Sequence, residues 1–420
     1  MADSISAVQG AQTISELILS HAAGHRVVAG DLVIVPVDRC MTHDSLTPEI
    51  IDALTNILGV TRVHDPERVA VVMDHVAPAA SVQTANAQVR TRRWVAEQGI
   101  RHFYDVGAGV CHQVLIEEGL VQPGQVAIGS DSHATSYGAI GAFGTGMGTG
   151  DLALALASGR TWLRVPESIR VVIKGRFRPS ISPKDISLYL CGLLGLDGAT
   201  YQAVEFHGVD WLSLDGREIL AGMSTEVGAK TGIVPPSGEV LSRYDVPDWL
   251  CVQPGARYSR TVEIDLSTLY SLVAIPPEVD HIAPARELGH VKVDQVFVGT
   301  CTNGRLEDLR ALAGLLKGRQ VAAGVRLLVI PASHRILQAV VDDGTLAILL
   351  AAGATVGTPG CGPCIGRHLG VIGAGEVCLS TANRNFRGRM GDPDGLIYLG
   401  SPEVAAATAL RGYISDPSEL

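Results

Sequence analysis

Short apolar runs, each ending in a cluster of polar side chains, recur along the chain and alternate with longer stretches of helical period. Leu32 to Val37, Val69 to Met73, Gln125 to Gly129, Gln295 to Val298 and Val377 to Leu379 are such runs. They predict strands, and Val69 to Met73, continuously apolar, one buried on both faces as in a parallel sheet. Ile14 to Ala22 predicts a short amphipathic helix, Gln83 to Gln98 a longer one stopped by Gly99, and Arg305 to Leu316 and Glu403 to Arg411 two more. After Leu32 to Val37 the stretch Asp38 to Asp44 reads as a polar loop, and a helix follows with Thr47 at its cap and Pro48 in its first turn. Ile51, Leu54 and Leu58 fall on one face of that helix. Strand, polar loop and helix repeat in this order, which predicts an α/β fold of mostly parallel sheets flanked by helices. Ligands bind such folds beyond the carboxyl ends of the strands. The polar clusters Asp74-His75, Ser130-Asp131-Ser132-His133, the turn around Cys301 and the loop Asn383 to Arg389 all stand there.

A chain of 420 residues, 46% of them apolar, predicts two or three cores rather than one. Composition shifts near Pro166 and around Pro276 to Pro284 divide it into units of residues 1–165, 166–282 and 283–420. No stretch is long and apolar enough for a membrane helix, and Met1 to Ala7 lack the basic flank of a signal peptide, so the expected location is cytoplasmic. Eight cysteines then read as reduced thiols. A net charge of −10 without any lysine- or arginine-rich block argues against a nucleic-acid surface. Gly138 to Gly150 contains six glycines but neither GxGxxG nor a Walker lysine. It reads as close packing beneath a site, not as a nucleotide loop.

The chemistry centres on Gly360-Cys361-Gly362-Pro363-Cys364-Ile365-Gly366, with Cys301 sixty positions before it in Val298 to Gly304. A CxxC alone also serves zinc sites and redox pairs. Structural zinc takes four ligands, and Cys301 has no near cysteine or histidine partner. Pro363 and the glycines around it favour an open loop over the helix start of a redox pair. Three cysteines suit an iron–sulfur cluster with one iron unligated; buried cysteines holding no metal stay open as the alternative. Asp74-His75, His112-Gln113, Asp131-Ser132-His133 and Glu226 add three histidines and three carboxylates, a set suited to proton delivery to a departing hydroxyl.

Val298-Gly-Thr-Cys301-Thr-Asn-Gly304, Gly360-Cys-Gly-Pro-Cys364-Ile-Gly366 and Ala382-Asn-Arg-Asn-Phe-Arg-Gly-Arg389 together resemble the aconitase superfamily, and within it the short large subunits of 3-isopropylmalate dehydratase and homoaconitase. The resemblance runs from about Asp31 to the C-terminus. It implies a three-domain aconitase-like large subunit that lacks the fourth, swivel domain. Cys301, Cys361 and Cys364 match the ligands of a [4Fe–4S] cluster. Asp74-His75 match the pair whose histidine protonates the leaving hydroxyl; His112 and His133 match further site histidines, paired in the family with the residues here matched by Asp131 and Glu226; Ser132 is also carried over. His43 and Asp44 fall in a loop near substrate and cluster, and Asn383, Arg384 and Arg389 in the loop where arginine holds a carboxylate. Arg387 reads as surface.

Gly222 stands where many relatives have asparagine, and Ala134 where threonine is common. Cys40, Cys111, Cys191, Cys251 and Cys378 match no ligand position and are expected to be buried. In aconitase a further C-terminal domain supplies the serine that takes the carbon-bound proton. The chain ends at Leu420 without it, so a separate small subunit is implied. The expected reaction moves a hydroxyl between adjacent carbons of a hydroxy-dicarboxylate, 3-isopropylmalate first. Homoaconitate, citraconate, dimethylmalate, maleate or a substrate of specialised metabolism are alternatives. Readings from other classes are an RNA-binding iron sensor, which the acidic balance opposes, and a zinc hydrolase.

Overall fold

A computed structural model describes residues 10–420; Met1 to Ala7 lie outside the described residues. Among the described residues, three of the four sheets are mostly or wholly parallel. Strands His102–Tyr104, Val69–Val72, Arg39–His43, Val126–Gly129 and Phe143–Gly146 form a wholly parallel five-stranded sheet in that order. Thr231–Ile233, Ala203–His207, Ser168–Lys174 and Arg260–Asp265 form a parallel four-stranded sheet. The third runs Ile282–Pro284, Leu272–Ala274, Leu396–Leu399, Val377–Ser380, Gln295–Val298, Arg326–Val329, Thr355–Val356; its pairs are parallel except that Leu272–Ala274 runs antiparallel to both its neighbours. The fold class is α/β.

Most elements form where apolar runs and caps put them. Val69–Val72 is buried at every position, as a strand covered on both faces must be. Val82–Gln98 starts at a Ser81 cap whose side chain accepts from Thr84 N–H, and stops at Gly99 with φ of 73°. Two expectations fail at one place. Arg39–His43 is not a polar loop but the central strand of the first sheet. Its polar Thr42 and His43 are buried, Thr42 sharing a hydroxyl hydrogen bond with Thr47 and the His43 ring stacking on His75. Thr47 is the first residue of its helix, Thr47–Asp52, rather than its cap, and its hydroxyl donates to His43 O at 2.7 Å. Leu32–Pro36, read as a strand, is one; it pairs antiparallel with Arg160–Arg164 in a separate two-stranded ribbon and leaves Leu32 and Ile34 exposed.

Two glycines set how closely the parts approach. A Cβ on Gly138 would lie 1.7 Å from Gly232 O, so the glycine-rich segment packs backbone to backbone against the Thr231–Ile233 strand. Gly360, at φ of 152°, has Asp74 O only 2.8 Å from where its Cβ would be. This approach lets Cys361 N–H donate to Asp74 O at 2.9 Å, joining the CxxC loop to the end of Val69–Val72. The site is thus built where the carboxyl ends of strands from the first and third sheets meet.

Candidate active site

His75 lies three residues past the end of Val69–Val72 and is held from three sides. Its Nδ1 lies 2.7 Å from Asp74 Oδ1, and its Nε2 3.3 Å from Asp131 Oδ2. Asp74 Oδ2 in turn accepts the Cys111 backbone N–H at 2.8 Å. Asp44 accepts the backbone N–H groups of Asp74, His75 and Val76 at 3.3, 2.9 and 2.9 Å, so its oxygens hold the backbone that carries His75. The His43 ring stacks on His75 with centroids 3.8 Å apart, and its buried Nδ1 has no partner.

Asp131 gathers the other histidines. Its Oδ1 is 2.9 Å from His112 Nε2 and accepts the His133 backbone N–H at 2.7 Å. His133 Nε2 is 2.7 Å from Glu226 Oε1. Arg384 Nε donates to both Glu226 oxygens at 3.0 Å and its Nη2 to Ser132 Oγ at 3.0 Å. Burial alone would raise Asp131, but hydrogen bonds from His112, His133 and His75 outweigh it and hold the carboxyl well below its usual range. Burial likewise opposes charge on His75; Asp74 and Asp131 overcome it and raise His75 well above an ordinary imidazole. Burial, and then the charge on His75, lower His43 to about 4. One ring of the stacked pair is therefore an acid and the other a neutral imidazole.

A pH dependence follows. A group raised in the folded state keeps its proton up to that raised value, so turnover that uses His75 as an acid falls as pH rises through it, above 6.5. The stability His75 contributes is full below 6.5 and is lost across the same rise. Asp74, which burial opposes but His75 pulls down to about 2, leaves the acid side flat over the working range. A pH profile of kcat in which activity climbs from pH 7 to 9 would contradict this assignment.

Cys301 sits in the one-turn helix Thr300–Asn303 after strand Gln295–Val298, and Cys364 in the short 3₁₀ turn Gly362–Ile365, not in fully open loops. With Cys361 they line one small cavity, shared with His75, His112, Asp131, His133, Asn383 and Arg389. None is in a disulfide. Asn383 Nδ2 donates to Cys301 Sγ at 3.3 Å and Arg389 Nη2 to Cys364 Sγ at 3.6 Å, donors that suit negatively charged sulfurs. Burial pushes the Cys301 thiol up to about 12, so a bound cation is what would make it a thiolate. The donor set fits a cluster held by three cysteines. Arg389 Nε is buried without a partner and so is free to take a carboxylate oxygen.

A family model of the aconitase family (aconitate hydratase) matches residues 15–287 and 278–412. The chain belongs to the aconitase family. Within this family it is 59% identical to the 3-isopropylmalate dehydratase large subunit of Herpetosiphon aurantiacus, covering 97% of both chains. It is 57% identical to the homoaconitase large subunit of Thermus thermophilus, covering 97% of this chain and 98% of that one. The aconitase X of Thermococcus kodakaraensis shares the fold, with a TM-score of 0.51 over 88% of this chain and 87% of that one at 14% identity.

Two buried cations at this aconitase-family site escape sequence reading. Arg305, wholly buried, donates to Thr302 O at 2.8 Å, Gln113 Oε1 at 2.8 Å and Glu218 Oε2 at 2.7 Å. It ties the Cys301 turn to the residue after His112 and to the helix Leu214–Met223. Lys184, also wholly buried, donates to Thr381 O and Ala382 O at 3.2 and 2.6 Å and so fixes the start of the Asn383 loop. Proximity to Cys301 was the available signal for Arg305; Lys184 had none. Gly222 packs on Ser136, whose Oγ would lie 2.7 Å from an added Cβ and is itself buried without a partner. Cys251, expected to be buried, is exposed in the turn after Trp249 and Leu250; Cys40, Cys111, Cys191 and Cys378 are buried. Arg387 is exposed and pairs with Asp394 at 2.6 Å.

Proposed function

We propose that this chain is the large subunit of a hydro-lyase that dehydrates and rehydrates a hydroxy-dicarboxylate, with 3-isopropylmalate as the first substrate and leucine biosynthesis as its setting. The carrying observation is the cavity in which three free cysteines face three imidazoles arrayed on Asp131. Cys301, Cys361 and Cys364 would hold a [4Fe–4S] cluster. When bound, it supplies one iron without a cysteine ligand, a Lewis acid toward the leaving hydroxyl. His75 delivers the proton to that hydroxyl, and Asp74 fixes its tautomer. Arg389 binds a substrate carboxylate, with Arg384 orienting Ser132 and Glu226 beside it; Asn383 holds Cys301. His43 provides a neutral face for substrate. Asp44 acts by positioning: Asp44→Asn is expected to lower kcat about tenfold with KM little changed, because one hydrogen bond to the His75 backbone weakens. A KM rise at constant kcat would mark direct substrate binding instead.

The relatives named as large subunits support a small partner subunit, to which the base for the carbon-bound proton and much of substrate choice are assigned. Units of residues 1–165, 166–282 and 283–420 are the proposed division, with strand Leu272–Ala274 of the middle unit adding to the third sheet. The proposed location is the cytoplasm, where eight free thiols stay reduced. No helix among the described residues is long and apolar enough to cross a membrane. Homoaconitase is the second reading, carried by the 57% identity to the Thermus protein. An anaerobic assay of the chain with its co-expressed small subunit decides, following enoate absorbance with 3-isopropylmalate, homoaconitate, citramalate and dimethylmalate in parallel. Turnover of 3-isopropylmalate together with iron and acid-labile sulfide supports the proposal. Stoichiometric zinc without sulfide, or RNA capture by the cluster-free chain at physiological salt, overturns it.

A further inference from the structure

We propose that Lys184 is the counter-charge of the three-cysteine centre, and that it sets how firmly a cluster is held there and at what potential that cluster is reduced. The inference rests on the cluster reading above and adds to it a residue outside the cavity lining. Lys184 is wholly buried in the first turn of helix Pro183–Leu194. Three features of that place oppose a positive charge. Water is excluded, the N-terminal end of a helix disfavours cations, and among the described residues the ammonium makes no ion pair. Its partners are neutral: Thr381 O at 3.2 Å, Ala382 O at 2.6 Å and Met223 Sδ at 3.9 Å. Asp185, next in the chain, is engaged elsewhere, its oxygens accepting the Ser182 and Leu272 backbone N–H groups at 2.8 Å each. Glu226 is taken by His133 and Arg384. Burial pulls the Lys184 ammonium down to about 8, which leaves it charged near neutrality.

A buried cation is tolerated where an anion offsets it. The two carbonyls that Lys184 holds belong to the residues just before Asn383, whose Nδ2 donates to Cys301 Sγ at 3.3 Å. Thr381 Oγ1 also accepts the Gly299 N–H, two positions before Cys301, at 3.1 Å. The ammonium is thus fixed against the segment that touches the Cys301 turn at both its backbone and its sulfur. A dicationic [4Fe–4S] core with three thiolates carries one net negative charge, and two once it has taken up an electron. Lys184 supplies the matching positive charge, with no carboxylate competing for it. Because the reduced form is the more negative of the two, a fixed cation favours it and raises the potential.

The test needs no turnover. Lys184→Met removes the charge and the donors, whereas Lys184→Gln removes the charge but keeps an N–H for Ala382 O. Lys174→Met removes a like charge from the exposed surface, where Lys174 pairs with Glu263. Each protein is purified anaerobically, its iron and acid-labile sulfide are counted, and reduction by dithionite is followed by electron paramagnetic resonance at controlled potential. Both Lys184 variants should show a midpoint lower by about 59 mV, a tenfold shift in a one-electron equilibrium, and should lose iron to a chelator about tenfold faster. Lys174→Met should match the unaltered protein. In the cluster-free chain Lys184→Gln should unfold at no lower a temperature than the unaltered chain, because nothing there offsets the charge it removes. A potential that falls in Lys184→Met but not in Lys184→Gln, or a lower unfolding temperature of cluster-free Lys184→Gln, would overturn the proposal and leave Lys184 as a tie to the loop. An intact cluster whose potential moves in neither variant would overturn this proposal alone. Unaltered protein without iron and sulfide would overturn the cluster reading and this proposal with it.

Discussion

Replacing His75 by glutamine is expected to lower kcat by about 10²- to 10⁴-fold, the usual cost of removing a general acid, while iron and sulfide content stay unchanged. Glutamine can still hydrogen-bond Asp74 but carries no transferable proton. The imidazole it replaces is held at Nδ1 by Asp74 at 2.7 Å, faces Asp131 at 3.3 Å and stacks on His43 at 3.8 Å, so no neighbouring group can swing into its place. His43 is the nearest candidate, and at about 4 it holds no proton near neutrality. Asp74→Asn should give a smaller loss, because the ring remains but its tautomer and raised affinity for a proton do not. The alkaline fall of the pH profile should move to lower pH in that variant. A His75→Gln enzyme that keeps more than a third of its kcat would remove His75 from the reaction. Loss of iron and sulfide in the same variant would instead show that the ring supports the cluster loop.

Arg305→Met should cost about 3–5 kcal/mol of unfolding free energy, the range found when one partner of a buried ion pair is removed. The change strips donors from Thr302 O and Gln113 Oε1 and leaves Glu218 without its cation. Burial already lifts Glu218 to about 7 against the pull of Arg305, so without that pull it rises further. A carboxyl raised in the folded state weakens the fold above its unfolded pKa. The loss in Arg305→Met should therefore shrink as pH falls toward 5 and grow toward 8. Denaturant midpoints at the two pH values measure this. The double change Arg305→Met/Glu218→Met should recover most of the loss, since two apolar side chains replace a pair rather than orphan a charge. If the single variant is as stable as the unaltered protein, Arg305 is not the joint between the Cys301 turn and the His112 helix.

The division between what was legible in the chain and what was not follows from the range of the forces involved. Val69–Val72, Val126–Gly129 and Gln295–Val298 could be read as strands because each is a continuous apolar run, and Val82–Gln98 as a helix because Ser81 and Gly99 cap it locally. The cysteine spacing and the polar clusters at strand ends were also local, and folding brings Cys301, Cys361 and Cys364 to one cavity with His75, His112, Asp131 and His133. Arg39–His43 was hidden: a strand containing arginine, threonine and histidine has no apolar run, and its place at the centre of the sheet depends on strands Val69–Val72 and Val126–Gly129, which arrive from distant parts of the chain to pair with it. The same holds for pairings. Nothing near Asp44 in the sequence says that its oxygens take three successive N–H groups some thirty positions away. Nor does anything near Arg305 or Lys184 say that a cation there is wholly buried. Charged side chains are ordinarily left in solvent. They enter a core only when acceptors are already placed to receive them, and folding brings those acceptors from up to 198 positions away, as between Lys184 and Ala382. Periodicity and capping are properties of neighbours along the chain, whereas partners for buried charge exist only once distant segments have packed.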